Sequence, residues 1–302
     1  MKKQIILVSL LFILLVSVGF INITKTDILT FKNSQIEVKM DIVDKDSETI
    51  LVIIAGSGPT DFNGNSNIID GRNDSLLQLS KALNDLGINT FRYNKRNVGK
   101  TSELKDPNFD IFVDDLINCI SWLKDNNYSN IYLAGHSQGS LVAALAANEI
   151  NVNGVISISG AARTIDEILY EQMVNSGQKE LADKVIKNLQ EGNLYLKEQS
   201  ILDGQFSKKN QQFILTWMKY NPIEAYSNVD TNVLFLQGDK DSHITLDELD
   251  LFSNLDYKTV ILKDTNHVLK IVDSKKDNSD SYSNPSYQLS DQLILEINDF
   301  IK

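Results

Sequence analysis

The chain has 302 residues, a formal net charge of −11 at pH 7 and 42% apolar residues. This apolar content is typical of a globular enzyme rather than a disordered chain, and the acidic balance argues against a nucleic-acid partner, because binding phosphates requires clustered lysine and arginine. The single cysteine, Cys119, excludes an intrachain disulfide, and the sequence has no cysteine and histidine spacing that predicts structural zinc.

The N-terminus has the pattern of an export signal. Lys2 and Lys3 precede residues 5–21, which are apolar except for two serines and a glycine. We therefore expect residues 1–24 to be a signal peptide or an uncleaved membrane anchor, with a buried core helix as the alternative. Either export signal places the remainder outside the cytoplasm, secreted or held at the membrane only through this segment.

From about residue 33 the sequence alternates between strand and helix patterns. Predicted strands cover residues 35–42, 50–55, 88–93, 131–134, 154–159, 233–236 and 259–262. Predicted helices cover residues 74–86, 109–124, 138–150 and 288–301. This alternation predicts an α/β fold with a mostly parallel central sheet and helices on both faces. Residues 275–284 are rich in aspartate and serine and are expected to form a flexible surface loop.

The alternation is interrupted over residues 161–227. This stretch has helical patterns at residues 165–176, 178–190 and 211–219 but no strand pattern. We expect it to be a helical cap inserted into one α/β catalytic domain formed by residues 33–160 and 228–302. Several apolar residues of the cap either line an acyl pocket or pack the cap onto the sheet: Ile168, Leu169, Met173, Phe213, Leu215, Trp217 and Met218.

A glycine-flanked serine, in Gly135-His136-Ser137-Gln138-Gly139, lies between a predicted strand and a predicted helix. Such a turn exposes the serine at the sheet edge, and the glycines permit its tight backbone and the close approach of strand and helix. The helix N-terminus also supplies backbone N–H groups that stabilise an oxyanion. The pattern predicts that Ser137 is a nucleophile, with a purely structural turn as the alternative.

A serine nucleophile requires a base, and the sequence has three histidines. We predict that His267 is the base, because its loop follows a strand pattern and returns to the carboxyl edge of the sheet. His136 adjoins the serine, but neighbouring side chains are expected to diverge at a sharp turn. His243 is expected to be exposed or to contact the cap.

The imidazole needs a carboxylate to fix its tautomer. Asp239 and Asp241 both follow the predicted strand 233–236. We favour Asp241, because its spacing from Gly238 lets the loop turn before the carboxylate points back, and Asp239 is the rival.

Two backbone N–H groups are expected to form an oxyanion hole. One belongs to Gln138, directly after the serine. The other belongs to Ser57, whose neighbours Gly56 and Gly58 let the backbone approach a substrate carbonyl. An ordinary turn is the alternative for this loop.

These motifs resemble the α/β-hydrolase superfamily, and within it the exported bacterial esterase-like proteins near the serine aminopeptidase (S33) and monoglyceride-lipase branch. Besides the serine motif, the resemblance is carried by Ala55-Gly56-Ser57-Gly58-Pro59-Thr60-Asp61, Arg92-Tyr93-Asn94-Lys95-Arg96-Asn97-Val98-Gly99-Lys100-Thr101, Gln237-Gly238-Asp239-Lys240-Asp241 and Asn266-His267-Val268-Leu269-Lys270. It implies an α/β-hydrolase fold over residues 37–302 apart from the cap, and the chain order Ser137, Asp241, His267. Asn94 and Asn97 stand where the branch usually has Asp and Gly. We expect this difference to affect which substrate is bound more than the catalytic reaction.

The resulting prediction is a carboxylesterase-like serine hydrolase that forms an acyl-enzyme on Ser137, acts on a small-molecule ester or acyl compound and needs no metal or organic cofactor. One alternative is an aminopeptidase or amidase of the same fold, in which Asp166, Glu167 or Glu171 of the cap would bind an α-ammonium group. Another is a catalytically inactive hydrolase fold that serves as a binding module at the cell surface.

Overall fold

The computed structural model describes residues 23–302 apart from Asn33 and Gln205. The predicted export segment lies outside the described residues except for its last two, which begin the first strand. Within the described part of the chain, no helix combines the length and apolar character needed to cross a membrane.

Eight strands form one sheet in the order β1-β2-β4-β3-β5-β6-β7-β8. The pairs β1–β2 and β2–β4 are antiparallel, and all other neighbouring strands are parallel. The strand bounds are β1 Ile23–Phe31, β2 Ser34–Ile42, β3 Thr49–Ile54, β4 Asn89–Tyr93, β5 Asn130–His136, β6 Gly154–Ile158, β7 Val233–Gly238 and β8 Lys258–Leu262. The predicted mostly parallel α/β sheet is confirmed, and β1 is an antiparallel edge strand that the sequence pattern did not predict.

Helices cover both faces of this sheet and fill the interruption after β6. Their bounds are α1 Ser75–Asp85, α2 Asp110–Asp125, α3 Gln138–Glu149, α4 Ile165–Asn175, α5 Lys179–Gln190, α6 Gln199–Leu202, α7 Lys208–Trp217, α8 Pro222–Ser227, α9 Leu246–Leu251, α10 Lys275–Asp280 and α11 Asp291–Ile301.

Strand β3 shows how the sequence produces two hydrophobic layers. Successive strand side chains point to opposite faces, so Ile50, Val52 and Ile54 pack on the α2 and α3 side. Leu51 and Ile53 pack on the α1 and α11 side. Because both faces are covered, the strand is apolar from Ile50 to Ile54, as expected for a buried parallel strand.

Residues 161–227, called the cap from here on, contain α4 to α8 and no strand among their described residues. The cap has an apolar cluster of its own, in which α5 contributes Ala182, Val185, Ile186 and Leu189. It is joined to the sheet domain where Trp217 stacks on Phe109, with ring centroids 5.3 Å apart.

The expectation of a flexible loop over residues 275–284 was wrong, because α10 begins that segment. The Ser274 side chain accepts a hydrogen bond from the backbone N–H of Asp277, which caps the first turn of the helix. A serine three residues before an aspartate is a pattern that predicts the start of a helix. The polar composition of the segment led us to predict a loop instead.

Candidate active site

The backbone of Ser137 is strained in the way a nucleophile turn requires. Ser137 lies between β5 and α3 with φ 53° and ψ −120°, outside the regions that non-glycine residues favour. A Cβ atom on Gly135 would lie 2.2 Å from the carbonyl oxygen of Gly139, and a Cβ on Gly139 would lie 2.6 Å from that of Ile54. The two glycines are therefore needed for strand β5, helix α3 and strand β3 to meet at this turn.

Asp241 and His267 form the hydrogen-bonded pair that the sequence predicts. His267 Nδ1 lies 2.7 Å from Asp241 Oδ2, which also accepts from Gln237 Nε2 at 3.1 Å. The other carboxylate oxygen accepts the backbone N–H groups of His243 and Ile244 at 2.8 and 2.9 Å. Burial alone would raise the pKa of Asp241, but His267 and these amides lower it to about 2. The carboxylate is thus charged at neutral pH and holds the imidazole in one orientation.

Ser137 and His267 line the same two cavities. Among the described residues, no hydrogen bond joins the Ser137 hydroxyl to His267. Hydrogen bonds of this kind are often long without substrate and tighten when it binds. The rival carboxylate of Asp239 does not contact His267, and its buried Oδ1 has no hydrogen-bond partner in the described structure.

All three histidines of the chain meet at this site, which the sequence did not predict. The ring of His243 stacks on that of His267 with centroids 5.0 Å apart, and the ring of His136 lies 4.9 Å away. His136 Nε2 donates to the His267 carbonyl at 2.7 Å, so this neighbour of Ser137 contacts the loop of the predicted base. Burial and the neighbouring His267 lower the pKa of His136 to about 3, so it stays neutral. No group of side chains suited to a metal ion occurs in the described part of the chain.

The predicted oxyanion residues lie beside the serine. Ser57 and Gln138 line the larger cavity together with Ser137. A Cβ atom on Gly56 would lie 3.2 Å from Ser137 Cβ, so the Gly56–Ser57 backbone packs directly against the nucleophile turn. The N–H of Ser57 makes no hydrogen bond with any described residue, which leaves it free to donate to a ligand.

Lys95 was not singled out from the sequence, although it belongs to a motif directly after β4. Its side chain is buried, and its ammonium donates to the Gly56 carbonyl at 2.7 Å and to Gln138 Oε1 at 2.5 Å. The same ammonium lies 4.4 Å from the centre of the Phe112 ring. Lys95 therefore contacts Gln138 and the carbonyl of Gly56, which shares a peptide group with the Ser57 N–H.

The larger cavity has a volume of about 380 Å³ and an apolar wall supplied by the cap. The sequence analysis named seven apolar cap residues that either line a pocket or pack the cap. Four of them line this cavity: Ile168, Leu169, Phe213 and Trp217. The other three, Met173, Leu215 and Met218, pack in the apolar cluster of the cap. Phe213 and Trp217 also pack against the core of the sheet domain, so the same two residues line the cavity and pack the cap onto the sheet.

The smaller cavity has a volume of about 180 Å³ and lies on another side of Ser137 and His267. Its lining includes the polar side chains of Asn65, Ser66 and Arg72 and contains no described residue of the cap. Ser137 and His267 line both cavities, so the site offers two compartments, of which only the larger is walled by the cap.

The cap carboxylates considered for an α-ammonium group are engaged elsewhere. Asp166 accepts from Gln190, Glu167 caps α4 through Thr164, and Glu171 pairs with Arg163. None of these three lines either cavity.

Comparison with known proteins agrees with this architecture. Residues 71–248 match the model of the family "Serine aminopeptidase, S33". Esterase EstD of Thermotoga maritima is 25% identical over 231 residues, which cover 72% of this chain and 54% of that protein. The chain thus spans about half the length of this curated relative.

Solved structures share the fold at low sequence identity. The esterase PF2001 of Pyrococcus furiosus superposes with a TM-score of 0.63 at 15% identity, covering 93% of this chain and 91% of that one. Est1E of Butyrivibrio proteoclasticus, solved with ferulic acid, gives 0.57 at 18% identity, covering 91% and 96%. The family match includes the strained serine turn and Asp241, and we conclude that the chain belongs to the serine aminopeptidase S33 family of α/β-hydrolases.

Proposed function

We propose that the chain is a serine hydrolase that cleaves carboxylic esters through an acyl-enzyme on Ser137. The observation that carries the proposal is the Asp241–His267 pair, 2.7 Å apart, whose imidazole lines both cavities that Ser137 lines. A strained serine, an oriented imidazole and a charged buried carboxylate are the parts of a nucleophile–base–orienter arrangement.

In the proposed reaction, His267 Nε2 takes the proton of the Ser137 hydroxyl as Oγ attacks the ester carbonyl. The backbone N–H groups of Ser57 and Gln138 stabilise the oxyanion of the tetrahedral intermediate. His267 then gives the proton to the leaving alcohol, which produces the acyl-enzyme. The same imidazole activates a water molecule that releases the acid and restores the serine.

The lining of the site favours esters over the substrates of an aminopeptidase. Recognition of a substrate α-ammonium requires a carboxylate, whereas the charged side chains that line the two cavities are Arg163 and Arg72. The relatives named as esterases support the same preference.

The two compartments also indicate a substrate class. We assign the acyl group to the larger cavity, with its apolar cap wall, and the alcohol to the smaller one. The larger cavity lies near the lower end of the volumes of small-molecule sites, roughly 300–1,000 Å³. We therefore expect butyrate and hexanoate esters to be hydrolysed faster than palmitate esters.

A comparison of p-nitrophenyl esters with amino-acid p-nitroanilides tests the bond that is cleaved. Ester hydrolysis with little or no anilide hydrolysis is expected, and the reverse preference would overturn the ester assignment. A fluorophosphonate probe should label the wild-type protein at Ser137 and leave Ser137→Ala unlabelled. Labelling at another serine, or hydrolysis retained by Ser137→Ala, would contradict the nucleophile.

A further inference from the structure

Lys95 connects two loops that are distant in sequence. It follows β4, whereas its acceptors belong to the loop after β3 and to the first residue of α3. Because its ammonium donates to the Gly56 carbonyl and to Gln138 Oε1, it links the two segments that carry the proposed oxyanion donors.

The bond to Gly56 acts directly on the Ser57 N–H. The carbonyl of Gly56 and the N–H of Ser57 belong to one planar peptide group. A cation on the carbonyl oxygen draws electron density away from the nitrogen, which makes the N–H a stronger donor, as in chains of hydrogen bonds that polarise one another. That N–H has no partner among the described residues, and Ser57 lines both cavities.

The ammonium of Lys95 is buried without a counter-charge among the described residues. Buried charges are normally paired with an opposite charge, but no described carboxylate lies within salt-bridge distance of Lys95. Its partners are two neutral oxygens and the Phe112 ring. Burial lowers the pKa of Lys95 to about 7. A negative charge that develops only during the reaction would provide the missing counter-charge.

We infer that Lys95 is a positioning residue, which fixes and polarises the Ser57 and Gln138 donors so that they stabilise the oxyanion. This inference rests on the proposed ester hydrolysis. It assigns to Lys95 an effect on the transition state and little effect on binding of the ground-state substrate.

Lys95→Met tests the inference, because it keeps an unbranched side chain and removes the charge and all three donors. Loss of one direct oxyanion donor lowers kcat by about 10²–10³-fold in other hydrolases. Since Lys95 acts through the donors, we expect kcat to fall about 10–100-fold, with KM changed less than about threefold. The inhibition constant of a trifluoromethyl ketone, which forms an oxyanion with the serine, should rise by the factor by which kcat/KM falls.

Lys270→Met is the matched control. Lys270 is also buried, and its ammonium also donates to a glutamine side chain, Gln78, and to a backbone carbonyl, that of Tyr287. None of these residues belongs to the proposed oxyanion hole. We expect a similar loss of thermal stability in both variants, but a ketone inhibition constant within about threefold of wild type only in Lys270→Met.

Gln138→Leu gives a second measurement that does not depend on the folding of Lys95→Met. It removes one acceptor of Lys95 and leaves the backbone donor, so kcat should fall about three- to tenfold with little change in KM.

The inference is overturned if either folded Lys95→Met or Gln138→Leu keeps the wild-type kcat and ketone inhibition constant. It is also overturned if Lys95→Met and Lys270→Met lose activity to the same extent. Failure of the proposed function itself would instead appear in the wild-type protein, as absence of fluorophosphonate labelling and ester hydrolysis.

Discussion

The carboxyl edge of the sheet and the cap form the two sides of one cavity, but different contacts stabilise them. At the edge, Ser137 and Asp241 are held by a strained turn and by buried backbone N–H groups. The cap instead relies on an apolar cluster and on exposed ion pairs such as Lys179–Asp183. Edge positions are fixed by covalent geometry and hydrogen bonds, whereas the shape of the cap surface depends on side-chain volume. We therefore expect edge substitutions to change the rate of the chemistry and cap substitutions to change stability and selectivity.

The largest effect is expected for Asp241→Asn. An asparagine keeps the shape but does not hold the imidazole in the tautomer that accepts the serine proton, and this change costs about 10⁴-fold in kcat in a serine protease. We expect a loss of similar size in p-nitrophenyl ester hydrolysis. Asp239→Asn, two residues away, removes a carboxylate that does not contact His267 and should change kcat less than about threefold. Equal losses in the two variants would contradict the assignment of Asp241.

Glu248→Ala is expected to have the largest effect on the attachment of the cap. Glu248 is buried in α9 and accepts the backbone N–H groups of Ala162 and Arg163 and the Arg163 guanidinium. Removing it leaves buried donors without a partner, at about 1–3 kcal/mol each, so we expect the free energy of unfolding to fall by about 3 kcal/mol. Urea denaturation measures the loss.

Two controls accompany Glu248→Ala. Glu248→Gln keeps one acceptor oxygen and should lose less stability. Asp183→Asn removes a carboxylate that pairs with exposed Lys179 and Lys187 on the cap, and exposed pairs contribute little, so no measurable change is expected. If Glu248→Ala were as stable as Asp183→Asn, Glu248 would not anchor the cap.

His136→Gln tests whether acid sensitivity originates at the sheet edge. The folded protein holds His136 neutral with a pKa of about 3, whereas an unfolded chain protonates it near 6.5. As pH falls from 6.5, the unfolded state therefore binds a proton that the folded state does not, and stability decreases. This group contributes a slope of at most about 1.4 kcal/mol per pH unit.

The measurement is urea denaturation of wild type and His136→Gln at pH 6.5 and 4.5. The wild type should lose up to about 2 kcal/mol more than the variant between these pH values. His243→Gln is the control, because His243 is exposed and its pKa is lowered less than that of His136. The pH dependence of its stability should therefore differ less from that of the wild type. An identical pH dependence of wild type and His136→Gln would show that His136 is not held neutral.

The sheet could be predicted because the apolar residues of each buried strand form a continuous local pattern, as Ile50 to Ile54 do. Ser137 could be identified because the glycines at 135 and 139 are a local requirement of its turn. Lys95 could not, because its environment is assembled from the Gly56 carbonyl and the Gln138 side chain, which only the folded topology brings together. Strand β1 was missed because its start was assigned to an export segment and the remainder is largely exposed.

The roles of individual cap residues could not be predicted for a related reason. Leu169 and Met173 are one helical turn apart and equally apolar, yet Leu169 lines the cavity and Met173 is buried in the cap cluster. Helical spacing places residues on one face but does not say whether that face meets another helix or an empty volume.

Leu169→Trp is the smallest change we expect to detect, and it tests whether the cap sets acyl selectivity. The larger side chain should reduce the volume of the apolar cavity while leaving Ser137, Asp241 and His267 in place. We expect kcat/KM for octanoate esters to fall about tenfold relative to acetate esters, since occluding a few methylene positions removes about 0.8 kcal/mol of apolar burial for each. Leu196→Trp, at an exposed position of the cap, should leave this ratio unchanged. If Leu169→Trp slowed acetate and octanoate esters equally, the cavity would not be the acyl site, and the apolar cap wall would serve packing alone.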